Sequence, residues 1–209
     1  MPKLVLLEAG TSRSARCRFT LLESGLAFKA ITLKPRSEEA RAANPSGKLP
    51  VLMVDDRPLY ESAAICTFVA DIAGEAAGLI PAPGSFERAE HDQWVSWTLS
   101  ELDTWSWSLF VYENIAPASG GAGVADALGP GNKEMWNRSA AQLAAHLEER
   151  EWIVGDRFSV TDIICGWSLN WGRCLGWLEN PVLEAYLLRL FARPACCFSR
   201  EGLPSPPKM

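Results

Sequence analysis

The sequence predicts an α/β domain over residues 1–80 followed by an all-helical domain over residues 86–209. Three observations carry this. Up to about residue 72, short apolar runs alternate with stretches of helical period. A segment rich in Gly, Ala and Pro, "AGEAAGLIPAPGS" (73–85), then breaks the pattern without any apolar period of its own. From Phe86 onward the period is helical throughout.

The α/β half opens with "KLVLL" (3–7), a continuous apolar run expected to form a strand buried on both faces. A polar loop, "EAGTSRS", precedes a helix in which Ala15, Phe19, Leu22 and Leu26 share one stripe, and Gly25 is placed to end it. "FKAITL" (28–33) reads as a second strand, parallel to the first across that helix. "RSEEARAAN" gives a short exposed helix. "PVLMV" and "PLY" form a hairpin around "DDR". Ile65, Phe68, Val69 and Ile72 then mark another helix.

In the helical half one long helix is expected from about Phe86 to Asn114. Val95, Leu99, Leu102 and Leu109 lie along one stripe, and Trp94, Trp97, Glu101 and Trp105 along its neighbour. "APASGGAGVADALGPG" (116–131) reads as a loop. Helices follow at about 133–149, 160–178 and 182–192, and Pro194 suits the first turn of a final one. In "SVTD", Ser159 and Asp162 form a capping box at the start of the 160–178 helix, which is apolar all round and therefore expected to be central.

Composition narrows the function classes. With 48% hydrophobic and 22% charged residues the chain is globular rather than disordered. A formal net charge of -5 disfavours a nucleic-acid partner, because neutralising phosphates needs a basic face. No apolar run is long enough to span a bilayer, and "MPKLVLLEAG" is too short in apolar residues for a signal peptide, so a cytoplasmic location is expected. The cysteines at 17, 66, 165, 174, 196 and 197 include no C-x-x-C and no metal-ligand spacing with His91 or His146. They read as reduced thiols, and no metal is expected.

Two stretches carry chemistry. Ser62 stands at a helix start, where free N–H groups and the helix dipole favour a carboxylate, and Glu61 beside it suits an ammonium group; together they fit an α-amino acid. The plainer alternative is a capping serine next to a solvated glutamate. The second stretch is "TSRSAR" (11–16). Arg13 and Arg16 are awkward in the first turn of a helix, because the dipole disfavours cations there. Arg16 is expected to pair with an acid on the 86–114 helix; for Arg13 that pairing and a role toward an acidic substrate both stay open. Arg173, a cation in a helix expected to be buried, needs a partner or a ligand.

"TSRSAR", "NPSGKLPVL", "LYESAAI", "FSVTDI" and "ARPACC", in this order, resemble the glutathione S-transferase family over nearly the whole chain. The resemblance implies a thioredoxin-like N-terminal domain and a helical-bundle C-terminal domain. It implies a cis bond at Leu49-Pro50, which turns the Leu49 backbone toward the cysteinyl part of glutathione. Glu61 and Ser62 would then hold the γ-glutamyl end, and Lys48 the glycine carboxylate. The redox cysteines of thioredoxin are missing from Ser12-Arg13-Ser14-Ala15, which leaves a hydroxyl to favour the ligand's thiolate. Ser12 takes the position of the family's catalytic serine, with Thr11 and Ser14 as neighbours a one-residue shift away.

The electrophile would lie against the 86–114 helix, with Trp105 and Tyr112 as wall residues and Trp94, Trp97, Trp107 and part of the 160–178 helix nearby. The implied activity is conjugation of glutathione, as co-substrate, to small electrophiles by a homodimer. A glutathione-dependent isomerase or lyase and a catalytically silent docking module are the alternatives.

Overall fold

A computed structural model describes residues 1–116 and 121–201. Strands β1 (Leu4–Glu8), β2 (Phe28–Thr32), β3 (Val51–Val54) and β4 (Arg57–Tyr60) form one sheet in the order β2-β1-β3-β4. β1 and β2 run parallel, with Leu4 opposite Phe28, as a helical crossover requires. β3 is antiparallel to β1 and to β4. Helices α1 (Ser14–Ser24) and α3 (Ser62–Ala73) pack together, and the six-residue α2 (Glu38–Ala43) is capped by Ser37, whose hydroxyl accepts from the Ala40 N–H.

β1 departs from expectation. Leu4 and Leu6 join the core with Phe19 and Ile65, but Val5 and Leu7 are only half-buried, so the sheet is fully covered on one face alone. The stripe expected on α1 is also displaced. Ala15 and Phe19 are buried, Leu22 is 46% exposed, and Cys17 and Leu21 lie inside. The helix is flanked by both α3 and the helix at Val160–Cys174, so its buried arc is wider than one stripe.

The long helix is α4 (Phe86–Trp97) continued into α5 (Asp103–Phe110) through a π-helical stretch, Thr98–Leu102, with a second at Val111–Ile115. Wider turns change the angle per residue, so a stripe drawn at a constant 3.6 period drifts across them. Leu99 is thereby 41% exposed while Leu102 is fully buried. Asp103, the first residue after the π-helical stretch, is turned inward and is only 4% exposed.

The expected loop at 116–131 is overturned over 121–131, which forms the first turns of α6 (Gly121–Leu147); residues 117–120 lie outside the described residues. Pro130 sits inside this helix and removes one backbone hydrogen bond. Tertiary contacts offset that loss: Ala125 is buried, and Asn132 Nδ2 donates to the Trp105 carbonyl at 3.1 Å.

α7 (Val160–Cys174) begins with the expected capping box and is the most buried helix, but it stops four residues early. Gly176, at φ 70°, closes it: the Gly176 N–H binds the Arg173 carbonyl and the Trp177 N–H binds that of Gly172, both at 2.9 Å. α8 (Pro181–Phe191) follows, and Pro194 opens no helix; a single turn from Arg193 to Cys196 stands there instead.

Candidate active site

The end of β1 delivers the chain to α1 through a turn in which three hydroxyls have different fates. Ser14 is fully buried and accepts from the Ala9 N–H at 3.0 Å. Ser12 is exposed; its hydroxyl donates to Ser14 Oγ at 3.1 Å and accepts from the Ser14 N–H at 3.3 Å. Thr11 is exposed too, and its carbonyl accepts from Trp167 Nε1 at 3.2 Å. Burial thus turns Ser14 toward the protein, while Ser12 and Thr11 face outward at the positive end of α1.

Leu49-Pro50 is cis, as the resemblance implies. Asn44 holds this loop: its Nδ2 donates to the Lys48 carbonyl at 3.0 Å, and its Oδ1 accepts from the Ser46 N–H at 3.1 Å. Gly47 is required here, because φ is +66° and a Cβ would lie 3.0 Å from the Arg36 Cα. Pro50 is buried, Leu49 half-buried and Lys48 exposed.

Glu61 precedes α3 with φ 70° and ψ 109°, a strained backbone for a residue with a side chain. Among the described residues no side chain caps α3, so its first N–H groups stay open to an anion. Ser62 is buried and caps nothing; its Oγ accepts from Arg16 Nη1 at 3.1 Å. The capping alternative for Ser62 therefore falls.

Both awkward arginines find the expected acid, and it is the same one. Arg13 makes two hydrogen bonds to Asp103 Oδ2, at 3.0 and 2.7 Å. Arg16 lies 3.7 Å from Asp103 Oδ1 and donates to Ser168 Oγ, which in turn donates to Oδ1 at 3.1 Å. Arg13 is also ringed by indoles, with its guanidinium carbon 4.6 Å from the Trp107 centroid, 5.2 Å from Trp171 and 5.6 Å from Trp167. Paired and shielded in this way, Arg13 is not a free cation for an acidic substrate.

Trp107 also lies beneath Lys48, whose Nζ is 5.4 Å from its ring centroid. It therefore meets both the α1 turn and the Lys48 loop. Trp105 and Tyr112 are half-buried against the core. Residues 105 and 107 lie about 200° apart around a helix, so the two indoles face nearly opposite ways. Sequence reasoning missed Ser168 and left the acid unspecified; two cations in one helical turn were the signal that such an acid existed.

Arg173 is settled by the C-terminal segment: it donates to Asn170 Oδ1 at 2.8 Å and to the carbonyls of Glu201 and Ser199 at 2.7 and 3.1 Å. All six cysteines are free. Burial pushes the Cys17 thiol up, and Cys165 up to about 12, so neither is a nucleophile at neutral pH. Among the described residues no three metal-ligating side chains come together, and no helix is long and apolar enough to cross a membrane. Two surface hollows lie away from these residues, one of about 480 Å³ between α3 and α4 and one of about 390 Å³ beside Trp152 and Arg189.

Residues 6–77 match the family model described as the N-terminal domain of glutathione S-transferase. BphK, a bacterial glutathione S-transferase solved as a ternary complex, is 30% identical with a TM-score of 0.81, over 92% of this chain and 95% of that one. A sphingomonad glutathione S-transferase complexed with glutathione is 30% identical with a TM-score of 0.79, over 92% of this chain and 94% of that one. GstA of Escherichia coli O157:H7 is 27% identical over 203 residues, which are 91% of this chain and 94% of that protein. Elongation factor 1-gamma of Trypanosoma cruzi is 27% identical over 188 residues, and there the match takes in 86% of this chain but only 43% of the relative's length. A four-stranded sheet with a cis-proline loop, a helical half packed on it, and this relatedness over nearly its whole length agree: the chain belongs to the glutathione S-transferase family, as a transferase of the bacterial type.

Proposed function

We propose that the protein is a serine-type glutathione transferase, binding glutathione in residues 1–80 and adding its thiolate to small electrophiles held against residues 86–209. The observation that carries this reading is the exposed Ser12 hydroxyl at the open end of α1, in the same half of the chain as the cis-proline loop and the uncapped start of α3. In this reading the Leu49 backbone pairs with the cysteinyl unit as an added strand. Lys48 meets the glycine carboxylate. Glu61 takes the γ-glutamyl ammonium group, and Ser62 with the first N–H groups of α3 takes its α-carboxylate. Ser12 donates to the sulfur and favours its ionised form. Trp107 is the preferred wall of the electrophile site, ahead of Trp105 and Tyr112. Turnover of glutathione with aryl halides, epoxides, peroxides and cis-alkenes tests this reading, and no glutathione consumption with any of them would refute it.

A second copy is proposed to cover the groove between α3 and α4, where Ala64, Phe68 and Val95 line the hollow of about 480 Å³. Light scattering at micromolar concentration should give twice the 22.9 kDa chain mass, and a monomer alone would count against the dimer. The similarity to an elongation factor of which the chain spans less than half favours one other reading, a docking module of the same fold. Glutathione binding without any lowering of its thiol pKa would select it.

A further inference from the structure

Trp107 carries two cations, and only one of them is fixed. The Arg13 guanidinium carbon lies 4.6 Å from its ring centroid and is tied to Asp103 by two hydrogen bonds. Lys48 Nζ lies 5.4 Å from the same centroid, and among the described residues no carboxylate comes within ion-pair distance of it. Lys48 is exposed, so its hold on the indole is a weak cation–π contact in water, and a second cation on the ring opposes it.

The loop under this lysine is held in place. The Lys48 N–H donates to Ser46 Oγ at 3.3 Å, and its carbonyl accepts from Asn44 Nδ2 at 3.0 Å. Only the four-carbon stem is left to turn, so Lys48 can exchange partners by side-chain torsions alone. A charge-assisted bond to a carboxylate outweighs an exposed cation–π contact, which sets the direction of that exchange.

The indole that Lys48 would leave is part of a platform. Phe110, itself 38% exposed, stacks with Trp107 at 5.6 Å and 20°, and Trp171 meets it edge-on at 6.5 Å. The face of an indole is negative, which is why cations settle on it. A neutral group suited to replace a cation there is an aromatic ring whose substituents withdraw electron density.

We infer that Lys48 couples the two substrates: the glycine carboxylate of glutathione draws its ammonium group off Trp107, and the indole face thereby opens to a flat, electron-poor electrophile. This rests on the reading of Lys48 given above. A loop lysine that only meets the carboxylate would leave affinity for the second substrate unchanged. Linkage makes the effect reciprocal, so the second substrate tightens glutathione by the same factor.

Equilibrium dialysis on the full chain measures 1,3-dinitrobenzene, a flat electron-poor ring without an activated leaving group, with and without saturating S-methylglutathione. In the wild type S-methylglutathione should tighten the probe about two- to fivefold, the scale of one exposed cation–π contact. Its glycinamide derivative, which lacks the carboxylate, should not. Lys48→Ala should bind the probe alone as tightly as the wild type does with S-methylglutathione, and the added ligand should then tighten it no further. Trp107→Leu, followed by calorimetry, should raise affinity for S-methylglutathione itself about two- to fivefold, because Lys48 no longer leaves an indole to meet the carboxylate. Tightening of the probe that persists in Lys48→Ala or with the glycinamide, no tightening in the wild type, or no gain in Trp107→Leu overturns the inference and leaves the Lys48 reading intact. Unchanged S-methylglutathione affinity in Lys48→Ala overturns both.

Discussion

Replacing Ser12 by alanine should lower turnover by about 10- to 1,000-fold and leave glutathione affinity within a few-fold of wild type. The asymmetry follows from what the hydroxyl binds. Ser12 donates to Ser14 Oγ at 3.1 Å and is otherwise exposed, so redirecting its proton to a bound sulfur gives up one neutral hydrogen bond. The bond it gains is charge-assisted with thiolate and weak with thiol. Its loss therefore falls on the ionised, reactive form. A two-unit rise in the pKa of the bound thiol corresponds to about 2.7 kcal/mol of thiolate stabilisation. Near neutral pH that is about a hundredfold smaller thiolate fraction. The pH–rate profile should shift upward, with activity partly recovered at alkaline pH. Titrating the ultraviolet thiolate absorbance of bound glutathione in both proteins reads the cause directly. Coincident titrations with equal turnover would reduce Ser12 to a structural turn residue and make Thr11, the other outward hydroxyl, the next position to replace.

Glu61→Ala should weaken glutathione by roughly ten- to a hundredfold, the scale of a hydrogen bond between charged groups, and calorimetry finding unchanged affinity in a folded variant removes Glu61 from the site. Gly172→Ala should destabilise the protein by about 1–3 kcal/mol in urea, because a Cβ there would overlap the ring of Trp136, which is itself fully buried. A Tm equal to wild type would refute that packing.

His91→Gln should change the acid limb of stability. His91 is buried between Thr161 and Thr67, at 2.8 and 3.2 Å, and burial lowers its pKa to about 4. The neutral ring is the form the fold holds. Its contribution, about 3 kcal/mol, is complete above the ordinary pKa of 6.5 and is lost as pH falls through 4. Asp162 runs the other way, since burial raises it from 3.8 to about 6 and its contribution is lost as pH rises through 6. The two nearly cancel in the wild type between these values. The His91 variant should therefore gain stability as pH falls from about 6 to about 4, and a wild-type pH slope in urea titrations would refute the assignment.

The order of elements was legible because each rests on a local cause. A helix-period stretch between two apolar runs specifies a parallel crossover, and Ser159 with Asp162 marks the start of α7 within three residues. What failed depended on distant contacts. Gly-Pro-Gly at 129–131 reads as a loop from propensity, yet α6 runs through it, anchored by Ala125 in the core and by Asn132 on the Trp105 carbonyl. The stripe on the 86–114 segment assumed a constant period, and the π-helical stretch at Thr98–Leu102 removed that assumption. Nothing in a one-dimensional pattern distinguishes a π turn from an α turn when both are rich in Leu, Ser and Glu.

The proposed glutathione end of the site rests on more local features than its proposed acceptor end, and the reason is geometric. The backbone at Leu49-Pro50 and at Glu61-Ser62, a cis bond in a loop and a positive φ before a helix start, is set within a few residues of chain. The proposed acceptor wall draws on side chains of long helices, where a shift of two positions reverses the direction faced: Trp107 meets Arg13, whereas Trp105 is packed against the core. The acid shared by Arg13 and Arg16 shows the middle case. Two cations in the first turn of α1 required an anion from elsewhere, and that requirement was readable without the structure. Which acid met it was not, because the π-helical stretch before Asp103 is what turns that residue inward. A change that relaxed this stretch to plain α-helix would rotate Asp103 away from both arginines while leaving the sequence of the site untouched.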